Sequence, residues 1–252
     1  MDIKEQALFL ENRHPWETVR YSFFRHVLED AIPWFHLKSE RPALDVGAGD
    51  AWFAAQLARD CPALSRIVCW DTAYPITQPD SAPTGKLLKT QSRPEGRFDL
   101  ILLLDVLEHV ENDRDFLSLL VSDNLNDQGY VLISVPAWNS LYSEHDRFLG
   151  HHRRYSFRAL RNLIAPSGLK IMSQGGAFHS LLFPRALAVA QERFHKTKNP
   201  RTVGVAQWEH GPGVTKLVKF LLACDNRASL FFSKTGLAVP GLSGWVICHK
   251  QP

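Results

Sequence analysis

Two hydrophobic periods alternate along the first two thirds of the chain. Residues 15–28 place Trp16, Val19, Phe23 and Val27 three to four positions apart, which predicts an amphipathic helix. Residues 41–46 then form a short apolar strand, followed by a glycine-containing turn and a helix at 51–59 with Asp50 as its expected N-cap. A second strand at 66–70 ends at Asp71, and the Pro-, Thr- and Ser-rich residues 75–85 predict a loop. The unbroken apolar run 100–104 and the near-unbroken run 130–135 predict strands buried on both faces. A helix at 112–121 and a turn at 126–129 lie between them, and a helix at 156–164 and a weak strand at 169–173 follow. This strand–helix alternation predicts a parallel sheet. After residue 176 the rhythm changes to helices at 181–194 and 214–232, joined by the polar stretch 196–213, before a last strand at 245–249. That strand needs a sheet to pair with, so the helical region reads as an insertion. The expected organisation is an N-terminal helical cap at 1–40, a core at 41–176, a helical cap at 177–243 and a closing core strand at 244–252.

Composition adds limits. The chain has 252 residues, 45% apolar and 22% charged, with a formal net charge of +3. This suits one ordered core with an elaboration and lacks the dense basic stripe of a nucleic-acid binder. No nucleic-acid partner is expected. No apolar run approaches the ~20 residues of a spanning helix, so membrane contact is expected to be peripheral at most. The acidic start of the chain does not resemble a secretory signal. The four cysteines show neither zinc-type pairing nor a disulfide framework, and the expected location is cytoplasmic. The pattern sets no oligomeric state.

The chemistry concentrates at Leu44–Ala51, which reads LDVGAGDA. Glycines between a strand and a helix let backbone approach a ligand closely, and Asp71 lies 22 residues after Gly49, near the ~20 expected of a ribose-binding acid. A dinucleotide fingerprint needs glycine where Trp52 stands, which disfavours an oxidoreductase. Acidic Asp45 and Asp50 suit a cationic methionine moiety better than a pyrophosphate. Asp45–Ala51 resembles the first motif of class I S-adenosylmethionine-dependent methyltransferases, with Ala51 in place of its third glycine. The FDLILLLDVLEHV run at 98–110 and the GYVLISVP run at 129–136 resemble the fourth- and fifth-strand motifs of the same family. The resemblance covers residues 41–173 and the terminal strand. It implies a Rossmann-like α/β fold with a mainly parallel seven-stranded sheet and an antiparallel last strand. It implies S-adenosylmethionine as cofactor, held by Asp45, Gly47, Ala48, Gly49, Asp71, Thr72, Asp105 and Val106. The alternative is an inactive S-adenosylmethionine-binding regulatory or scaffold protein.

The acceptor side is expected above the carboxyl ends of the strands. The segment 136–155 there carries Tyr142, His145, Asp146, His151, Arg153, Arg154 and Tyr155, and resembles the HDxxxGHxRRY segment of bacterial methyltransferases, some linked to cell-envelope or lipid-linked metabolites. His109, His145 and His151 are the candidate proton acceptors, since imidazole titrates near neutral pH. Trp16, Arg20, Tyr142, Asp146, Arg153, Arg154 and Tyr155 are the candidate contacts to a small acceptor, an acidic one being favoured by the guanidinium forks. The competing reading is a structural loop held by charge pairs. No metal is expected, because adjacent His151 and His152 point apart.

Overall fold

The computed structural model describes residues 13–75, 85–195 and 210–251. Its seven strands are β1 (Arg41–Val46), β2 (Leu64–Trp70), β3 (Leu87–Thr90), β4 (Phe98–Leu104), β5 (Leu125–Pro136), β6 (Leu169–Ala177) and β7 (Ser243–Lys250), in the spatial order β3-β2-β1-β4-β5-β7-β6. All neighbours run parallel except β7, which is antiparallel to both β5 and β6. The helices are α1 (Pro15–Ala31), α2 (Trp52–Asp60), α3 (Asp113–Asn124), α4 (Glu144–Leu149), α5 (Phe157–Ile164), α6 (Leu182–His195) and α7 (Pro212–Lys234).

The apolar strand runs follow from helices on both sheet faces. Along β4, Leu100 and Leu102 belong to one core layer with Phe24 and Leu28 of α1, Leu57 of α2 and Leu222 of α7. Ile101 and Leu103 belong to the other layer, with Leu117 and Leu120 of α3 and Leu160 and Leu163 of α5. The period of two sends alternate residues to opposite cores.

Several expectations shift. Asp50 is not the N-cap of α2: Ala51 holds that position in the left-handed region at φ 63°, and Asp50 Oδ1 accepts from the Trp52 amide at 3.1 Å. The turn expected at 126–129 lies within β5 as an irregularity. Leu125 pairs with Phe98 and Tyr130 with Leu100, so the intervening residues bulge, with Gln128 at φ 65°. Edge strand β3 has no clear sequence signal, since it spans four residues. Most of the loop at 75–85 and of the polar stretch at 196–213 lies outside the described residues.

The insertion is fastened to α1 and to the core. Lys234 Nζ of α7 meets Asp30 Oδ2 of α1 at 2.7 Å, Trp138 Nε1 donates to the Gly241 carbonyl at 2.9 Å, and buried Ser229 of α7 donates to the Gly176 carbonyl. Phe183, Leu187 and Phe194 of α6, with Leu217, Phe220 and Phe231 of α7, stay exposed. Among the described residues no helix is long and apolar enough to cross a membrane. Cys61, Cys69 and Cys248 are buried and Cys224 is exposed, all four as free thiols.

Candidate active site

Strand order reverses between β2-β1 and β4-β5, and such a switch point opens a crevice at the carboxyl ends of the strands. The turn after β1 fills one side of it. The Gly47 amide donates to the Trp70 carbonyl at 2.7 Å, which staples the turn to the end of β2. Gly47 sits at φ +63°, and a Cβ there would lie 2.9 Å from Val106 Cγ2. Glycine is therefore required both by conformation and by the close pass of the β4 loop. Gly49 is also left-handed, and its amide donates to Asp71 Oδ2 at 2.9 Å. The other Asp71 oxygen accepts from the Ala73 amide at 2.9 Å. The carboxylate is thus fixed beside the turn with lone pairs to spare. Thr72 is exposed next to it.

Asp45 is buried beneath this turn, and burial pushes its carboxyl up to about 7. Asp105, at the end of β4, adopts φ 60°. Its Oδ1 accepts from Ser134 Oγ at 3.0 Å, and its Oδ2 pairs with Arg20 at 2.6 Å. Arg20 also donates to Ser134 Oγ at 2.9 Å and lies over the Trp16 ring at 5.0 Å. Helix α1 therefore borders the crevice, with Trp16 and Arg20 at its edge. Arg13 contacts Asp50 and lies over Trp52 at 4.4 Å, so Asp50 is already matched with a cation. This removes Asp50 from the group held to favour a cationic ligand.

The loop after β5 is organised by one buried carboxylate. Ser143 and Asp146 form a capping box at the start of α4. Asp146 has no exposed surface and accepts from His151 Nδ1 at 2.9 Å, Arg154 Nε at 2.8 Å and Arg185 of α6 at 3.2 Å. Although burial opposes ionisation, hydrogen bonds from His151 and Arg154 hold this carboxyl well below the usual range. Arg154 is buried and also donates to the Ala137 carbonyl at 3.2 Å. Tyr155 is buried too, and its hydroxyl donates to Asp113 Oδ2 at 2.7 Å, with the Leu107 carbonyl 3.0 Å away as the alternative acceptor. Asp146, Arg154 and Tyr155 were expected to face an acceptor. They instead spend their polar atoms inside the protein, as the frame of the loop. Arg153 pairs with Asp113 at 3.1 Å and donates to the Glu111 carbonyl at 2.7 Å while staying partly exposed.

The three histidines separate. His145 lies on α4, where burial and then Arg185 push its imidazole down to about 4. It is neutral at physiological pH and a weak base. His109 ends a single 3-10 turn, Leu107–His109, directly after β4. The His109 and His151 rings meet edge to face, with centroids 4.7 Å apart. The His152 amide donates to the Glu108 carbonyl at 2.7 Å, tying the two loops together. Tyr142 gives its hydroxyl to the His151 carbonyl at 2.7 Å. Sequence reasoning passed over Glu108, which is completely buried between these loops. Its position in the DVLEH run was the only available signal.

Residues 16–174 match the family described as the methyltransferase domain. Among curated proteins none matches the sequence significantly. Solved structures resemble the chain in fold. A candidate sarcosine dimethylglycine methyltransferase from Galdieria sulphuraria is 14% identical, with TM-score 0.53, over 93% of this chain and 84% of that one. A candidate S-adenosylmethionine-dependent methyltransferase from Listeria monocytogenes is 11% identical, with TM-score 0.53, over 93% and 100% of the two chains. A candidate methyltransferase of Haloferax volcanii, solved with its Trm112 activator, is 11% identical, with TM-score 0.52, over 92% and 91%.

Proposed function

The chain belongs to the methyltransferase-domain family, with S-adenosylmethionine as its cofactor, and from that premise we propose that it methylates a small molecule held between the turn after β1 and the His109–His151 pair. The observation that carries this reading is the placement of those two imidazoles beside the end of β4, on the rim that also bears the glycine turn.

The turn fits the cofactor. Gly47 and Gly49 bring backbone close, Ala48 lies between them, and Asp105–Val106 closes the opposite wall. Asp45 suits the ammonium of the methionine moiety, and Asp71 suits the ribose hydroxyls. When bound, S-adenosylmethionine supplies an electrophilic methyl group on a sulfonium. The residues of the chain align the acceptor and take up its proton. Asp146 orients His151 by accepting its Nδ1 proton, which leaves Nε2 as the basic atom. His109 stands across from it. Trp16, Arg20 and Tyr142 line the acceptor side, and Arg153 keeps guanidinium donors for an acidic group. Helices α1, α6 and α7 form the cover that keeps water out and admits a partly apolar acceptor, free or lipid-linked.

Asp71→Ala is expected to weaken S-adenosylhomocysteine binding by ~1–3 kcal/mol, the usual loss for a charge-assisted hydrogen bond. Calorimetric titration measures it, and unchanged affinity in a folded variant would remove Asp71 from the ribose role. His109→Ala and His151→Ala are expected to slow methyl transfer by roughly 10²–10⁴-fold while cofactor affinity stays within a few-fold. Label transfer from methyl-labelled cofactor to a panel of small acceptors reads this out. Tight cofactor binding without transfer to any of them would favour the regulatory or scaffold reading.

A further inference from the structure

Glu108 presents a problem that methyl transfer does not explain. Its side chain is completely buried, and neither carboxylate oxygen accepts a hydrogen bond from another residue. A buried carboxylate without partners is costly, and protonation does not cure this, because the acid then buries an unsatisfied hydroxyl. The nearby guanidinium groups are engaged elsewhere: Arg20 pairs with Asp105, and Arg154 with Asp146. The Asp105 carboxylate beside it offers no donor and is itself taken by Arg20 and Ser134. One ligand atom each from Glu108, His109 and His151 lies within 4.8 Å of the other two. Three ligands held at ~2.0–2.2 Å in tetrahedral directions lie roughly 3.3–3.6 Å apart, so the three atoms must draw together by at most about 1.5 Å, within the reach of side-chain rotation.

We propose that Glu108, His109 and His151 bind one divalent transition-metal cation at the acceptor side of the crevice. Two imidazoles and one carboxylate suit borderline ions such as Zn²⁺, Mn²⁺ or Co²⁺ better than Ca²⁺ or Mg²⁺, which prefer all-oxygen sets. His151 is already arranged as a metal ligand. Its Nδ1–H is given to the buried Asp146 carboxylate, which sets the tautomer and aims Nε2 away from that bond. The sequence argued against a metal because His151 and His152 are adjacent; the second imidazole comes instead from His109, on a different strand loop. With the ion bound, Nε2 of His151 no longer takes up the acceptor's proton; three protein ligands leave coordination positions open, and an acceptor hydroxyl occupying one would instead lose its proton to solvent at lower pH. That role for the ion rests on the methyltransferase reading, whereas the binding of the ion does not.

The test is calorimetric titration of chelator-treated full-length protein with ZnCl₂ and with MnCl₂. One site with a micromolar or tighter Kd is expected for at least one of these ions. Glu108→Gln and His151→Ala should each weaken it tenfold or more, while His152→Ala, at an exposed neighbour, leaves it unchanged. S-adenosylhomocysteine affinity, measured on the same samples, should stay within a few-fold in Glu108→Gln. This shows that the variant is folded and keeps a failed metal site distinct from a failed cofactor site. Absence of binding by both ions, or binding that survives both ligand substitutions, overturns the proposal.

Discussion

Replacing Asp146 with alanine is expected to lower unfolding free energy by about 3–5 kcal/mol, the cost of removing one partner from a buried charge cluster. The site has no exposed surface, and its carboxylate receives Arg154, Arg185, His151 and the Ser143 amide and hydroxyl. Deleting it strands two guanidinium groups whose side chains are only 6% and 14% exposed. Against a typical total of 5–15 kcal/mol the loss is severe. Asp146→Asn keeps the shape but not the charge and should recover only part of it. The variant should also release α6, because Arg185 is the α6 side chain that reaches this carboxylate. Chemical denaturation measures the stability, and proteolysis within α6 measures the release. A stability change below ~1 kcal/mol would show that Asp146 does not organise the loop.

That hub also shows where sequence reading stops. The strands were legible because both faces of the sheet are covered, so Leu100–Leu104 and Val131–Val135, apart from Ser134, are apolar. The cofactor turn was legible because its glycines and acids lie within eight residues of one another. The composition of the acceptor loop was visible, but its division of labour was not. Whether Arg153 or Arg154 turns inward depends on Ala137 and Asp113, which belong to other elements. Arg185, assigned to a distant cap, reaches back 39 residues to Asp146. Arg20 meets Asp105 only because α1 packs across the sheet. Glu108 was hidden for a simpler reason: one acidic residue beside a strand end looks solvated until the fold closes over it. The misassigned cap at Asp50 has a local cause, since a left-handed alanine at position 51 is not predicted by propensity.

Asp45→Asn is expected to separate stability from function. Burial pushes the Asp45 carboxyl up to about 7, against about 3.9 in an unfolded chain. Between these values the folded protein holds a proton that the unfolded chain has released. The native state therefore loses stability as pH rises from about 4 to about 7, and the penalty persists at higher pH. Asparagine cannot ionise, so cofactor-free Asp45→Asn should be more stable than the parent at pH 8, by on the order of 1–3 kcal/mol, with the gap closing towards pH 5. Ligand binding runs the other way. The cationic ammonium of the cofactor favours the ionised carboxylate, so affinity in the parent protein should rise with pH up to about 7, with a proton released on binding. In Asp45→Asn that pH dependence should vanish and affinity should fall roughly 10–100-fold, the range for losing a buried charge-assisted contact. Denaturation at several pH values checks the first half, and S-adenosylhomocysteine titrations in buffers of different ionisation enthalpy check the second. Equal affinity in parent and variant across pH 5–8 would mean that Asp45 shapes the turn without touching the ligand.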